Sequence, residues 1–248
     1  MQLRTAYRPR LLRILAALLA VPFALTSGGC LMLVGDGDVE VEERGHVGFD
    51  AVVNDTSLDV EVTLGEDENE GVRVLCDANL LGRVETSVDG NVLRIGRAGL
   101  LSLRPRGGCR VEVTAAHLRA VHNNGSGEVR TLGETPELEV IRQLGSGLVA
   151  VDELTSASVD VRSTGSGEVH LAGTTGDVSF VSTGSGGIHA RDLRAETVQA
   201  RSTGSGGLEL FASELVDAEL VGSGDIHVWG SPADRVAHST GSGDVVFH

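Results

Sequence analysis

The chain has 248 residues, 41% of them hydrophobic, with 34 glycines, 5 prolines, seven aromatics and a net charge of -15. Glycine at about twice ordinary usage, without a three-residue period or abundant proline, excludes collagen, and the apolar, β-branched content excludes a disordered chain. All 20 basic residues are arginine, which excludes a Schiff-base or P-loop lysine, and the acidic balance argues against nucleic acid as a partner. The length suits one or two domains.

Residues 1–29 read as a signal peptide. Arg4, Arg8, Arg10 and Arg13 make a positive start with no acid, and Ile14 to Leu25 is an apolar run of secretory length. Ser27-Gly28-Gly29-Cys30 resembles the lipobox of bacterial lipoproteins, which implies lipidation of Cys30 and a membrane anchor made of lipid. Ser27 stands where that pattern has leucine. Cleavage by an ordinary signal peptidase therefore stays open, as does an uncleaved anchor prolonged by Leu31 to Val34. Removal of the leader leaves 16 arginines against 35 acids, a net charge of -19. Such a surface repels anionic headgroups, so attachment would rest on the lipid. Residues 30–45 are acidic and glycine-containing, and read as a tether.

Residues 46–248 read as one all-β domain. In 46–120, Leu58-Asp59-Val60-Glu61-Val62, Val72-Arg73-Val74, Val92-Leu93-Arg94-Ile95 and Arg110-Val111-Glu112-Val113 alternate with period 2 between irregular turns. These predict irregular early coils of a solenoid. Cys76 and Cys109 lie here. Outside the cytoplasm they can form a disulfide; the alternative is two buried thiols.

Residues 121–248 carry regular repeats. Gly-Ser-Gly begins at Gly125, Gly145, Gly165, Gly184, Gly204, Gly222 and Gly241, in steps of 20, 20, 19, 20, 18 and 19. Four places after each first glycine stand Val129, Val149, Val169, Ile188, Leu208, Ile226 and Val245. Six places after stand Thr131, Val151, Leu171, Ala190, Leu210, Val228 and Phe247. Four places before stand Val121, Ile141, Val161, Phe180, Ala200, Ala218 and Ala237. Each unit thus reads strand, Gly-Ser-Gly corner, strand, looser turn. A unit of about 20 residues cannot bury its own apolar face, so units stack with parallel strands about 4.8 Å apart. The prediction is a β-helix-like solenoid whose corners are structural glycines. The stacked corner serines and the threonine column of Thr164, Thr183, Thr203 and Thr240 follow from the same stacking.

Several motifs carry the resemblance to a family. They are Phe49-Asp50-Ala51-Val52, Cys76-Asp77-Ala78-Asn79-Leu80-Leu81, Val84 to Ile95, and the Gly-Ser-Gly-Asp corners at Gly222 and Gly241. Together they make the section from about His46 to His248 resemble the putative auto-transporter adhesin, head GIN domain family of bacterial envelope proteins. The resemblance implies a right-handed parallel β-helix, often behind a lipoprotein signal, and an outer-membrane-anchored address. It supplies no catalytic residue.

No catalytic centre, cofactor or metal is assigned. Asp225 and Asp244 follow Gly-Ser-Gly corners as in calcium-binding glycine-rich repeats, but those need nine-residue units. His170 and His189 fall on neighbouring coils and point outward, with Glu168 and Glu209 close. His170, His189 and Glu209 are the candidate metal ligands, against a plain reading as an exposed polar column. Asp160, Asp177 and Asp225 are the carboxylates that a polysaccharide-acting enzyme would use. Trp229 lies one place beyond an inward position and reads as exposed. The expected function is adhesin-like binding or scaffolding toward a glycan or protein of a surface or envelope. The rivals are a polysaccharide-acting enzyme and an assembly module that forms homo-oligomers through Val245-Val246-Phe247-His248, an open last coil.

Overall fold

The computed structural model describes residues 32–66, 69–99 and 102–248, so the expected signal peptide and Cys30 lie outside the described residues. The early strands are β1 (Met32–Val34), β2 (Val39–Arg44), β3 (Ala51–Asn54), β4 (Asp59–Leu64) and β5 (Gly71–Asp77). A four-residue helical turn, α1 (Ala78–Leu81), leads to β6 (Val84–Asp89), β7 (Val92–Arg97), β8 (Ser102–Arg104) and β9 (Arg110–Ala115). The repeats supply β10 (Ala120–Asn123), β11 (Glu128–Leu132), β12 (Val140–Gln143), β13 (Leu148–Leu154) and β14 (Ser158–Gly165). The long strands β15 (Glu168–Gly184), β16 (Ile188–Gly204) and β17 (Leu208–Gly222) follow, then β18 (Ile226–Trp229), β19 (Asp234–Gly241) and β20 (Val245–Phe247).

The coils stack as a β-solenoid of about six turns. The face ahead of each corner runs β7, β3, β10, β12, β14, the later halves of β15, β16 and β17, then β19, all parallel. The face after each corner runs β9, β4, β11, β13, the early parts of β15, β16 and β17, then β18 and β20. Alternation fixes which side chains enter the core. Val129, Val149, Val169, Ile188, Leu208 and Ile226 form one register column, each fully buried. Val121, Ile141, Val161, Phe180, Ala200 and Ala218 form its counterpart on the other face.

The corners explain the glycines. Gly165, Gly184, Gly204, Gly222 and Gly241 have φ between 110° and 141°, a region costly for any residue with a Cβ. Gly125 and Gly145 are not in that region. They are glycine because a Cβ would strike the backbone of the coil below, at Thr56 and Gly125 respectively. The corners are tied together by backbone: the Ser185, Ser205, Ser223 and Ser242 amides each donate to the first corner glycine one coil back, at 2.9 Å. Inside three early turns lies a buried polar clip. Asn54, Asn123 and Gln143 donate to the carbonyls of Leu58, Gly127 and Gly147 at 3.0, 2.7 and 3.1 Å.

The N-terminal end departs from the expected pattern in two ways. The tether expected over 30–45 is not a tether in its described part. β1 pairs with β8, and β2 lies antiparallel on β5 across six residue pairs. Both faces of β2 are open to water, with Val39 and Val41 48% and 47% exposed, so its pairing rests on the backbone hydrogen bonds to β5. Second, the early coils of 46–120 are not all coils. β5 runs antiparallel to β9, and β6 to β7, so both faces begin with antiparallel strands. Leu80 and Leu81 of α1 are buried there.

Candidate functional site

Cys76 is the last residue but one of β5 and Cys109 precedes β9, and the two are joined in a disulfide with Cα atoms 4.1 Å apart. The antiparallel register places Leu75 opposite Arg110, so the bond crosses between neighbouring strands. Beside it the buried Asp77 carboxylate accepts the Arg106 and Gly107 amides at 2.7 and 2.9 Å. The β1 segment is pinned at the same corner: Gly35 donates to Arg104, and Asn79 Nδ2 to the Val34 carbonyl, both at 3.0 Å.

The densest array of functional groups lies outside the second face, in the later coils. Register puts His170 beside His189 and His189 beside Glu209. Glu168 shares the outward side with His170, since residues i and i+2 of a strand do. Glu168 Oε2 lies 3.1 Å from His170 Nε2, and Glu209 Oε2 lies 3.4 Å from His189 Nδ1. The two imidazoles meet edge to face, with ring centroids 4.8 Å apart. One coil beyond Glu209, His227 Nδ1 lies 3.0 Å from His248 Nε2. Half of the chain's eight histidines thus occupy this face.

Trp229 sits at the edge of the array and is only half-exposed. The His248 ring stacks on it at 4.6 Å, and the Arg191 guanidinium lies over it at 4.6 Å. A flat sugar-binding platform needs an open ring face. This ring is already in use, so it serves as a wall of the array.

Of the other candidates, Asp160 and Asp177 share a groove and Asp225 lies apart from them on the second face. Asp160 and Asp177 line a shallow groove of about 420 Å³ on the first face, with Glu139, Ser179, Thr197 and Gln199. Asp160 is paired with Arg162 at 2.9 Å. Asp225 lies past a corner on the second face and accepts the Asp244 amide at 2.9 Å. The acid of Gly-Ser-Gly-Asp therefore joins two coils. Two titrating groups are displaced from their usual range. Burial, then the Arg142 and Arg94 charges, lower the pKa of His122. Burial would lower that of Arg130, but Glu128 and Asp152 outweigh it and raise it.

The corner serines are exposed along the edge between the two faces. At the far end β19 is exposed along its whole length, and β19 and β20 each pair on one side only. Phe247 is partly buried, with Arg235 over its ring at 5.0 Å. One feature escaped the sequence pattern: the clip of Asn54, Asn123 and Gln143.

Among the described residues no helix is long and apolar enough to cross a membrane. Three crystal structures share the fold. One is of a putative adhesin from Bacteroides fragilis, with TM-score 0.81 and 24% identity, covering 87% of this chain and 100% of that one. A second is of a putative lipid binding protein from Parabacteroides distasonis, with TM-score 0.71 and 24% identity, covering 87% and 99%. The third is of a putative adhesin from Parabacteroides merdae, with TM-score 0.69 and 20% identity, covering 88% and 99%. No curated protein matches the chain. Residues 48–232 match the family described as "Putative auto-transporter adhesin, head GIN domain". That match spans well over half of the sequence, and the chain belongs to this family.

Proposed function

We propose that the protein is a non-catalytic, adhesin-like binding module of the bacterial envelope, anchored through lipid on Cys30, that recognises a glycan or protein with one face of its solenoid. The observation that carries this reading is the row Glu168, His170, His189, Glu209 and His227. It is held outward on stacked strands at a pitch of about 4.8 Å. A rigid row of donors, acceptors and titratable groups meets a partner without first being ordered, which lowers the entropic cost of binding. The family points to a protein of the envelope or the extracellular space. The cross-strand disulfide favours an oxidising compartment. Since Met32 already begins a strand, a lipid on Cys30 would hold the early coils near the membrane and leave the later coils free to bind.

The direct test is retention of the purified protein on fractionated envelope material and on a glycan array. Retention on at least one fraction, without breakdown of the retained glycan, is the expected result. A second reading, an assembly module, draws on the exposure of β19, where Val236 is 46% exposed. It predicts no retention on any fraction, together with a concentration-dependent dimer in light scattering.

A further inference from the structure

We infer that Glu168, His170 and His189 form a binding site for a divalent transition-metal ion of the zinc class, with Glu209 orienting His189. The site does not depend on the identity of any binding partner. Each of the three residues offers one ligand atom, and these atoms all lie within 4.8 Å of one another. Tetrahedral ligands about 2.0–2.2 Å from an ion stand roughly 3.4 Å apart. Rotation of the half-exposed side chains closes the remaining gap at little cost, because no core packing holds them.

Three details favour a built site over a chance column. First, the step between the Gly165 and Gly184 corners aligns His170 with His189 across two hydrogen-bonded strands, so the imidazoles are positioned by backbone. Second, the Glu209 carboxylate takes His189 Nδ1 at 3.4 Å. A small rotation would let it accept a hydrogen bond from Nδ1, leaving the Nε2 lone pair free for an ion. A carboxylate behind a ligating imidazole is the common second layer of zinc sites. Third, residue 187 is glycine without a positive φ, so the backbone does not demand it. A Cβ there would stand 2.9 Å from His189 Nε2. The missing side chain keeps the approach to that nitrogen open.

The donor set selects the ion. Two imidazoles and one carboxylate suit zinc, cobalt or nickel, whereas calcium and magnesium prefer oxygen ligands throughout. Three protein ligands leave a fourth position open to solvent. His227 and His248 make a second imidazole pair, but among the described residues only the Glu168 group reaches three ligands.

Calorimetric titration of zinc chloride into the purified full chain at neutral pH tests the site. One ion should bind per chain, and cobalt(II) should give the intense visible bands of a tetrahedral complex. His170→Ala and His189→Ala should each remove saturable binding at the site, while circular dichroism stays unchanged because both side chains lie outside the core. Glu209→Gln should weaken it about 10–100-fold. Gly187→Val should weaken it by blocking His189, and His227→Ala should leave it as it was. Absence of saturable binding overturns the assignment. So does binding that survives His170→Ala and His189→Ala but is lost in His227→Ala.

Discussion

Gly206→Ala is expected to destabilise the protein by about 3 kcal/mol, a large effect for adding one methyl group. Gly206 is the third residue of its corner, and a Cβ there would overlap the Gly186 carbonyl of the coil below. The obstacle is backbone on both sides, so no rotamer relieves it. Either the coils part locally, breaking the amide-to-carbonyl bonds from Ser205 and Gly206 to Gly184, or the corner unwinds. Gly204→Ala adds conformational strain, since φ at that position is 131°. Ser205→Ala, between the two, should change stability by less than about 0.5 kcal/mol, because the exposed serine contributes its amide rather than its side chain. Urea denaturation of the three variants measures this. Equal midpoints for Gly206→Ala and Ser205→Ala would show that close stacking does not require the corner glycines.

Loss of the Cys76–Cys109 disulfide should cost about 4 kcal/mol. The bond closes a loop of 33 residues, and loop-closure entropy for that length gives roughly this figure. The effect should be local as well as large. A stacked fold behaves as a row of units coupled to their neighbours, and the disulfide lies among the antiparallel strands that begin the row. Cys76→Ala/Cys109→Ala should therefore lose amide protection first in β2, β5 and β9. β15 to β17 should stay protected. Hydrogen exchange followed by mass spectrometry reads the two regions separately. Uniform loss of protection along the chain would contradict a unit-by-unit solenoid.

The regular half of the fold was legible because its two signals are local and repeat. Alternation names the inward residue, and the corner spacing names the register. The inward columns from Val129 to Ile226 and from Val121 to Ala218 follow directly. What was not legible depends on contacts distant in sequence. Val39 to Arg44 alternates Val with Glu in an acidic stretch, and nothing local says that it pairs with Val72 to Asp77. Hence a strand read as a tether. Asn123 and Gln143 precede their corners and look like loop residues. They are buried because their amides replace the hydrogen bonds a tight corner cannot make along its own backbone. The histidine array was half legible. Spacing placed His170 against His189 and brought Glu168 and Glu209 close, but the division of labour between the two carboxylates depends on side-chain direction.

The proposed reading puts recognition on the outer side of the second face. The measurement that tests this most directly is retention on the envelope fraction or glycan that captures the protein, repeated with a variant carrying His170→Ala, His189→Ala, His227→Ala and Trp229→Ala. All four side chains lie outside the core, so the variant should stay folded. The account predicts loss of retention, with retention kept by a control carrying Arg142→Ala and Arg162→Ala on the opposite face. Undiminished retention by the four-residue variant, or loss only in the control, would contradict it.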